Sequence, residues 1–403
     1  MPPSDPLHPV KPDDRLQSAD AVRGFALFGV LLVNMFNFGA YSPEWTDTLD
    51  QAFNAAMHAV FETKSWRLFA MLFGFGFALQ LAKLHSVGDG NLWFYFRRVT
   101  ILFGIGMGHA LFFDGDILME YALLGFILPA FRRLRAGTLL ALTLLLMFAF
   151  PVGNVIDSLR GASAPIDADA SLSLAELRDD HPYLGTVGDV FKTNAEVIPP
   201  RLWKGLNEPE SSLAIFAMIL LGFQIGRSRL VHDAAKHTKQ WCRMLRWGMT
   251  TGLVFAALEW YLSRYHGYAA FEGNTASIEI RFLGDVLFLF GSTALALAFA
   301  AGIVLLAQHS EWSAILSPLQ SLGRMALTVY LSGTLMFTLL FYGYGFGQLY
   351  LLGPVATTAC AALFFAVQII FCSWWLRFFR FGPVEWIWRC LTYLQTQPLR
   401  IPA

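Results

Sequence analysis

FLGDVLFLFGSTALALAFAAGIVLLA, residues 282–307, contains one charged side chain, Asp285, in 26 positions. As a helix it would be about 39 Å long, more than the ~30 Å hydrocarbon core of a bilayer. A helix apolar on every face belongs in a membrane or at the centre of a large core. Composition decides between these. Of 403 residues, 56% are hydrophobic and 14% charged, with a mean hydropathy of +0.50. An average soluble protein has roughly 25% charged residues, so this chain has too few to cover a globular surface. The stretch therefore reads as one span of a polytopic membrane protein.

Similar runs lie near 22–39, 66–84, 97–113, 117–133, 137–156, 211–228, 247–266, 321–341 and 351–376. Together they predict an all-α integral membrane protein of about ten transmembrane helices, with residues 1–403 as a single transmembrane domain. The first run carries Arg23, Asn34 and Asn37 and lacks a small-residue cleavage site after it, so it is expected to be a retained helix rather than a signal peptide.

Lys and Arg crowd alternate connections: Lys83, Arg97 and Arg98; Arg132, Arg133 and Arg135; Arg227 to Arg246; and Arg377 onward. By the positive-inside rule both termini are expected in the cytoplasm, in a bacterial inner membrane. Residues 377–403 then form a cytoplasmic tail, and the polar stretch 157–210 an extracytoplasmic insert. The formal net charge is zero, which leaves no basic face for nucleic acid. The four cysteines are scattered without a C-x-x-C pair, so neither a disulfide framework nor a metal site is expected.

An ionisable group inside a span costs about 2.5 to 3.5 kcal/mol. With this topology most such groups share the outer half of the membrane: Asn34 and Asn37 late in the first run, His109 late in the third, Asp116 and Glu120 opening the fourth, Glu259 late in the seventh, and Arg281 and Asp285 opening the eighth. His109 follows Gly104 and Gly108, a G-x-x-x-G spacing that lets a neighbouring helix approach. A carboxylate bonded to one ring nitrogen would leave the other basic, as a general base requires. Equally, His109 could bond a carbonyl at a helix end while Asp116 caps the next helix. Asn34 reads either as a donor to a developing oxyanion or as an interhelical hydrogen bond. Arg23, Arg97, Arg98, Arg132 and Arg133 are explained by topology alone, and equally suit phosphate binding. No P-loop, G-x-S-x-G or H-E-x-x-H pattern is present.

Arg15 to Ala26 with Val33-Asn34 resembles the first helix of the transmembrane acyltransferase superfamily. More narrowly, the chain resembles the bacterial YeiB-like family through Phe69 to Gly76; Arg97-Arg98, Gly108-His109, Asp116-Ile117-Leu118 and Tyr121-Ala122; Gly323 to Thr328; and Gly382-Pro383, Glu385-Trp386 and Trp388-Arg389. These motifs run from about residue 15 to 393, leaving the insert unmatched. The resemblance implies transfer of an acyl group from acyl-coenzyme A to a sugar or lipid acceptor. Arg324, with the other arginines, is expected at the donor, and Tyr121 and the polar residues of the outer half, Asn37, Glu120, Glu259, Arg281 and Asp285, at the acceptor. Superfamily members carry a His near the end of the first helix or in the loop after it. No clear counterpart stands between Asn34 and Gln51, so the base is assigned to His109, with Asp116 and Asn34. Val329, Ser332 and Gly333 also differ from the Asn, aliphatic residue and Gln more usual in YeiB-like sequences, which implies a different acceptor.

The expected function is thus an acyl-coenzyme A-dependent membrane acyltransferase, in a lipid bilayer and with a homodimer allowed. The alternative is a transporter or channel relaying protons through His109, Asp116 and Glu120.

Overall fold

The computed structural model describes residues 16–39, 47–85, 92–160, 178–179, 181–207, 210–228, 230–269 and 275–401. Among these the protein is all-helical. The helices are α1 (Gln17–Gly39), α2 (Thr48–Val60), α3 (Lys64–His85), α4 (Leu92–Ala110), α5 (Leu118–Ile127), α6 (Ala136–Met147), α7 (Ala149–Leu159) and α8 (Val187–Asn207). They continue with α9 (Glu210–Arg227), α10 (Thr238–His266), α11 (Ile278–Leu306), α12 (Ser313–Arg324), α13 (Ala326–Phe341), α14 (Pro354–Phe378) and α15 (Pro383–Tyr393).

Six helical stretches among the described residues are long and apolar enough to cross a membrane: Gln17–Phe36, Thr48–Ala82, Ala136–Leu159, Glu210–Arg227, Ile278–Leu306 and Pro354–Phe378. A seventh is gained if α12 and α13, which meet at 84°, make one broken span. The remaining apolar runs fall on α4, α5 and α10. Arg97 and Arg98 make α4 too polar for the same criterion, α5 is only 10 residues long, and the first half of α10 is polar.

The bend follows from local chemistry. Met325 leaves helical geometry at φ −111°, ψ 34°, which frees the first backbone N–H groups of α13. Glu385 of α15 accepts them, from Leu327 at 2.6 Å and Thr328 at 3.0 Å, and takes the Thr328 hydroxyl at 2.5 Å. An anion at a helix N-terminus is favourable on both dipole and hydrogen-bond grounds. Burial still pushes the Glu385 carboxyl above the usual carboxylate range, with the Thr328 bonds opposing. The residues after 377 are therefore built into the bundle through α15. Trp388 also donates its indole N–H to the Arg98 carbonyl at 3.0 Å.

Two look-alike segments, Phe69 to Phe75 and Phe216 to Phe223, pack on each other where α3 crosses α9. A Cβ on Gly74 would stand 1.8 Å from the Ile219 carbonyl oxygen, and one on Gly222 1.8 Å from that of Met71. The crossing is close because neither position has a side chain, the small-residue packing that membrane helices use.

Candidate functional site

His109 occupies the last turn of α4, where its carbonyl closes the helix by accepting the N–H groups of Phe112 (2.9 Å) and Phe113 (3.1 Å). The chain then turns through residues 111–117 into α5. This return places Asp116 Oδ1 2.6 Å from His109 Nδ1, while Asp116 Oδ2 accepts the Met119 N–H at 2.7 Å. Asp116 thus caps α5 and holds the imidazole at once; the two roles read from sequence as alternatives coexist. His109 Nε2 lies 2.8 Å from the hydroxyl of Thr334 on α13. His109, Asp116 and Thr334 are all buried, Asp116 completely. In the neutral tautomer that donates Nδ1–H to the carboxylate, Nε2 is the acceptor for the Thr334 hydroxyl.

Close approach of α4 and α5 is set by a glycine, though not by the G-x-x-x-G pair. A Cβ on Gly104 or Gly108 would meet nothing within 4 Å, whereas one on Gly106 would lie 2.6 Å from the Met119 nitrogen. Gly106 is the residue that admits the first turn of α5 and so brings Asp116 to His109.

Part of the insert covers this loop. From α8, Arg201 donates to the carbonyls of Asp114 and Asp116, the latter at 2.6 Å, and Asn194 donates to the Leu111 carbonyl at 2.9 Å. Burial raises the Asp114 carboxyl above its ordinary range, with Tyr183 and Arg201 opposing. Thr334, Arg201 and Asn194 escape a sequence reading: Thr334 is 225 positions from His109, and the insert carries no recognisable motif.

Below the imidazole stands Tyr330, whose ring centroid is 5.0 Å from that of His109 and whose hydroxyl accepts the Ile117 N–H at 3.4 Å. Tyr330 also lines a cavity of about 220 Å³. Four arginines, Arg23, Arg98, Arg324 and Arg389, line the same cavity together with Glu385, and Tyr121, Phe69 and Phe73 are among its aromatic walls. Arg98 stacks on Trp388 at 3.9 Å and Arg23 bonds Asp20 at 2.9 Å. A second, small cavity beside Thr334 is lined by Asn34, Leu31, Val329 and Gly333, and again by Tyr330.

The expected residues therefore separate. His109 and Asp116 come together, and Asn34 shares the small cavity with Thr334, the other partner of the imidazole. Arg23, Arg98, Arg324 and Tyr121 share the larger cavity. Arg97, Arg132 and Arg133 do not line it: Arg97 lies by the Phe94 ring, and the other two sit in the turn after α5. Glu120 accepts from Ser212 Oγ at 2.7 Å, tying α5 to α9. Arg281 and Asp285 belong to another network, Asp285 accepting from Asn154 at 2.8 Å and Tyr268 at 3.1 Å, and Arg281 donating to Ser158 at 2.9 Å. Glu259 faces Lys64 at the start of α3. The Asn37 side chain lies outside the described residues.

The chain is 30% identical over 422 residues to the uncharacterized protein YxaH of Bacillus subtilis (strain 168), an alignment covering 98% of both chains. The chain belongs to the YeiB-like family. It is 31% identical over 412 residues to the uncharacterized protein YeiB of Escherichia coli (strain K12), covering 96% of this chain and 98% of that one. The family model described as "Protein of unknown function (DUF418)" matches residues 225–395. That match spans α10 to α15 and so includes Thr334, Arg324, Glu385 and Arg389. The YeiB-like relatives also cover α1 to α5, where Arg23, His109 and Asp116 lie.

Proposed function

We propose that this YeiB-like protein is an integral-membrane acyltransferase that moves an acyl group from acyl-coenzyme A to a hydroxyl or amine of a sugar, lipid or small-molecule acceptor. The reading is supported by one juxtaposition: a cavity with four guanidinium groups and aromatic walls, whose Tyr330 packs on the imidazole of a His–carboxylate pair. Guanidinium groups suit phosphates, through bidentate charge-assisted hydrogen bonds. The cavity is smaller than the ~300 to 1,000 Å³ usual for small-molecule sites. It would accept the thioester arm, with the nucleotide at the arginines. Along α4, Arg98 and His109 are 11 residues apart, about 16 Å at 1.5 Å per residue, so the donor must be extended to reach the base.

In this mechanism Asp116 fixes the tautomer and stabilises the imidazolium as it forms, and His109 Nε2 removes the proton from the attacking group. Asn34 supplies an amide donor to the oxyanion of the tetrahedral intermediate. Gly333 and Val329 leave the small cavity open where a Gln would fill it, since even a Cβ on Gly333 would come within 2.9 Å of Leu31.

The same reading places the protein in the transmembrane acyltransferase superfamily and the bacterial inner membrane. It orients the arginine cavity and both termini to the cytoplasm, the α8 side to the exterior, and counts α4, α5 and α10 among ten crossings. Calorimetric titration of purified protein with coenzyme A thioesters of several chain lengths tests the donor, and binding weakened by Arg98→Ala is expected. No binding of any thioester at millimolar concentration, with substrate-dependent flux in proteoliposomes, would replace it with the transporter reading.

A further inference from the structure

Both ring nitrogens of His109 are already engaged by the protein, Nδ1 by Asp116 and Nε2 by Thr334 at 2.8 Å. The hydroxyl from which this base is poised to take a proton therefore belongs to the chain itself. We infer that Thr334 is the first acyl acceptor, and that transfer passes through an acyl-threonine ester. This rests on the acyltransferase reading and specifies its chemistry.

A structural threonine in a helix commonly satisfies its hydroxyl on the carbonyl four residues earlier. In this molecule Thr143, Thr293, Thr358 and Thr392 do so at 2.7 to 2.8 Å. Thr334 is different: its own i−4 carbonyl, that of Tyr330, is 3.5 Å away, at the limit of a hydrogen bond, and the shorter contact goes to the imidazole. The Asp116–His109–Thr334 order reproduces the logic of an activated hydroxyl: nucleophile, base, and a carboxylate that orients the base. Space for the new ester lies next to it. The small cavity lined by Thr334 and Asn34 is about 10 Å³, roughly the room of one water, enough for a carbonyl oxygen beside the amide. Of the residues lining the two cavities only Tyr330 is common to both, so the acyl carbon reaches Thr334 by displacing that ring.

The steps balance without any redox partner. Thr334 Oγ attacks the thioester carbonyl carbon, and its proton moves to His109 Nε2. The C–S bond breaks, and the same proton goes to the departing thiolate, releasing coenzyme A as the free thiol. In the second half, the acceptor hydroxyl or amine gives its proton to Nε2 and attacks the ester. The bond from the acyl carbon to Thr334 Oγ breaks, and the proton returns to that oxygen.

The test is to incubate the full-length protein, purified in lipid nanodiscs, with radiolabelled acetyl-, butyryl- or palmitoyl-coenzyme A without acceptor. Acid-quenched chains are then mapped by peptide mass spectrometry. One acyl group on the peptide containing Thr334 is expected with the wild-type protein, stable to acid and to neutral hydroxylamine and released by alkaline hydroxylamine, as an oxygen ester is. It should be absent from Thr334→Val and His109→Ala and present in Thr334→Ser, while thermal unfolding shows that all three variants are folded. Double-reciprocal plots of transfer should be parallel. Transfer by the wild-type protein with no adduct on that peptide would overturn the covalent step, as would Thr334→Val turnover within about threefold of wild type. Either result would leave the acyltransferase reading in place. Failure of every thioester to bind or be consumed would overturn both.

Discussion

Two of the buried polar networks among the described residues, around Asp285 and around His109, differ in where they end. Around Asp285 every carboxylate oxygen meets a donor, Asn154 on one and Tyr268 on the other, while Arg281 is held by Ser158. Around His109, Asp116 is as fully bonded, but the imidazole ends on a hydroxyl and packs against a tyrosine that lines two cavities. The first network joins α7 to α11. The second ends on the Thr334 hydroxyl, which lines the small cavity. Sequence places both at the same membrane depth, so burial of a polar group does not distinguish a site from a tie between helices. Adjacency to a cavity and an unspent proton-transfer capacity do.

The sharpest way to break this comparison is to remove the base. His109→Ala should fold, bind donor and lose about 100- to 10,000-fold in transfer rate, the range for loss of a positioned general base. Asp116→Asn should lose activity on a comparable scale, because an amide whose oxygen still caps Met119 turns its NH2 to Nδ1 and moves the imidazole proton to Nε2. Single-turnover assays on purified variants measure both. Wild-type turnover by His109→Ala would place the chemistry elsewhere.

A second contrast concerns the arginines. Arg98→Ala removes a guanidinium from the larger cavity, and a charge-assisted contact to phosphate contributes about 1.5 to 3 kcal/mol. Donor affinity should fall roughly 10- to 100-fold, with kcat changed far less. Arg132→Ala lies away from the cavity and should leave affinity as it was. Equal effects in the calorimeter would mean that bulk positive charge, and not this cavity, holds the donor.

Those arginines also show how far sequence reading reaches. Hydropathy finds the helices because the membrane imposes an apolar surface of fixed length, and His109 and Asp116 are legible together because only one turn separates them in the chain. Thr334 is not legible: threonines are common in spans, and nothing across the 225 positions from His109 signals that α13 will return to α4. The break at Met325 is likewise invisible, since Leu322 to Phe341 reads as one apolar run until Glu385, some 60 residues on, supplies the carboxylate that satisfies the new helix start. Positive-charge counting groups the arginines by connection, whereas the cavity selects them by helix face.

Asp285→Ala reverses the expectation for His109. It strands the Asn154 amide and the Tyr268 hydroxyl, and a buried donor left unpaired costs about 1 to 3 kcal/mol. Thermal or denaturant unfolding in detergent should show that loss, while turnover per folded molecule stays at the wild-type value. A collapse in turnover without a loss of stability would make Asp285 part of the reaction.

The smallest effects come from the glycines of α4, and they separate two explanations of the same motif. If Gly104 and Gly108 were the close-packing pair, alanine at either would wedge neighbouring helices apart. Their Cβ positions are open, so Gly104→Ala should change stability by no more than about 1 kcal/mol, and upward if anything, through helix propensity. Gly106→Ala is different, because its methyl group would stand 2.6 Å from the Met119 nitrogen. Backbone cannot swing aside as a side chain can, so the start of α5 must retreat, at a cost of about 1 to 3 kcal/mol for overpacking. Since Asp116 is fastened to that helix start through Met119, the retreat also lengthens its contact with His109. Gly106→Ala should therefore lose activity in the direction of Asp116→Asn, and Gly104→Ala should not. Matching activity and unfolding midpoints for the two alanine variants would show that α4 and α5 are not in contact at Gly106, and that Asp116 reaches His109 by another geometry.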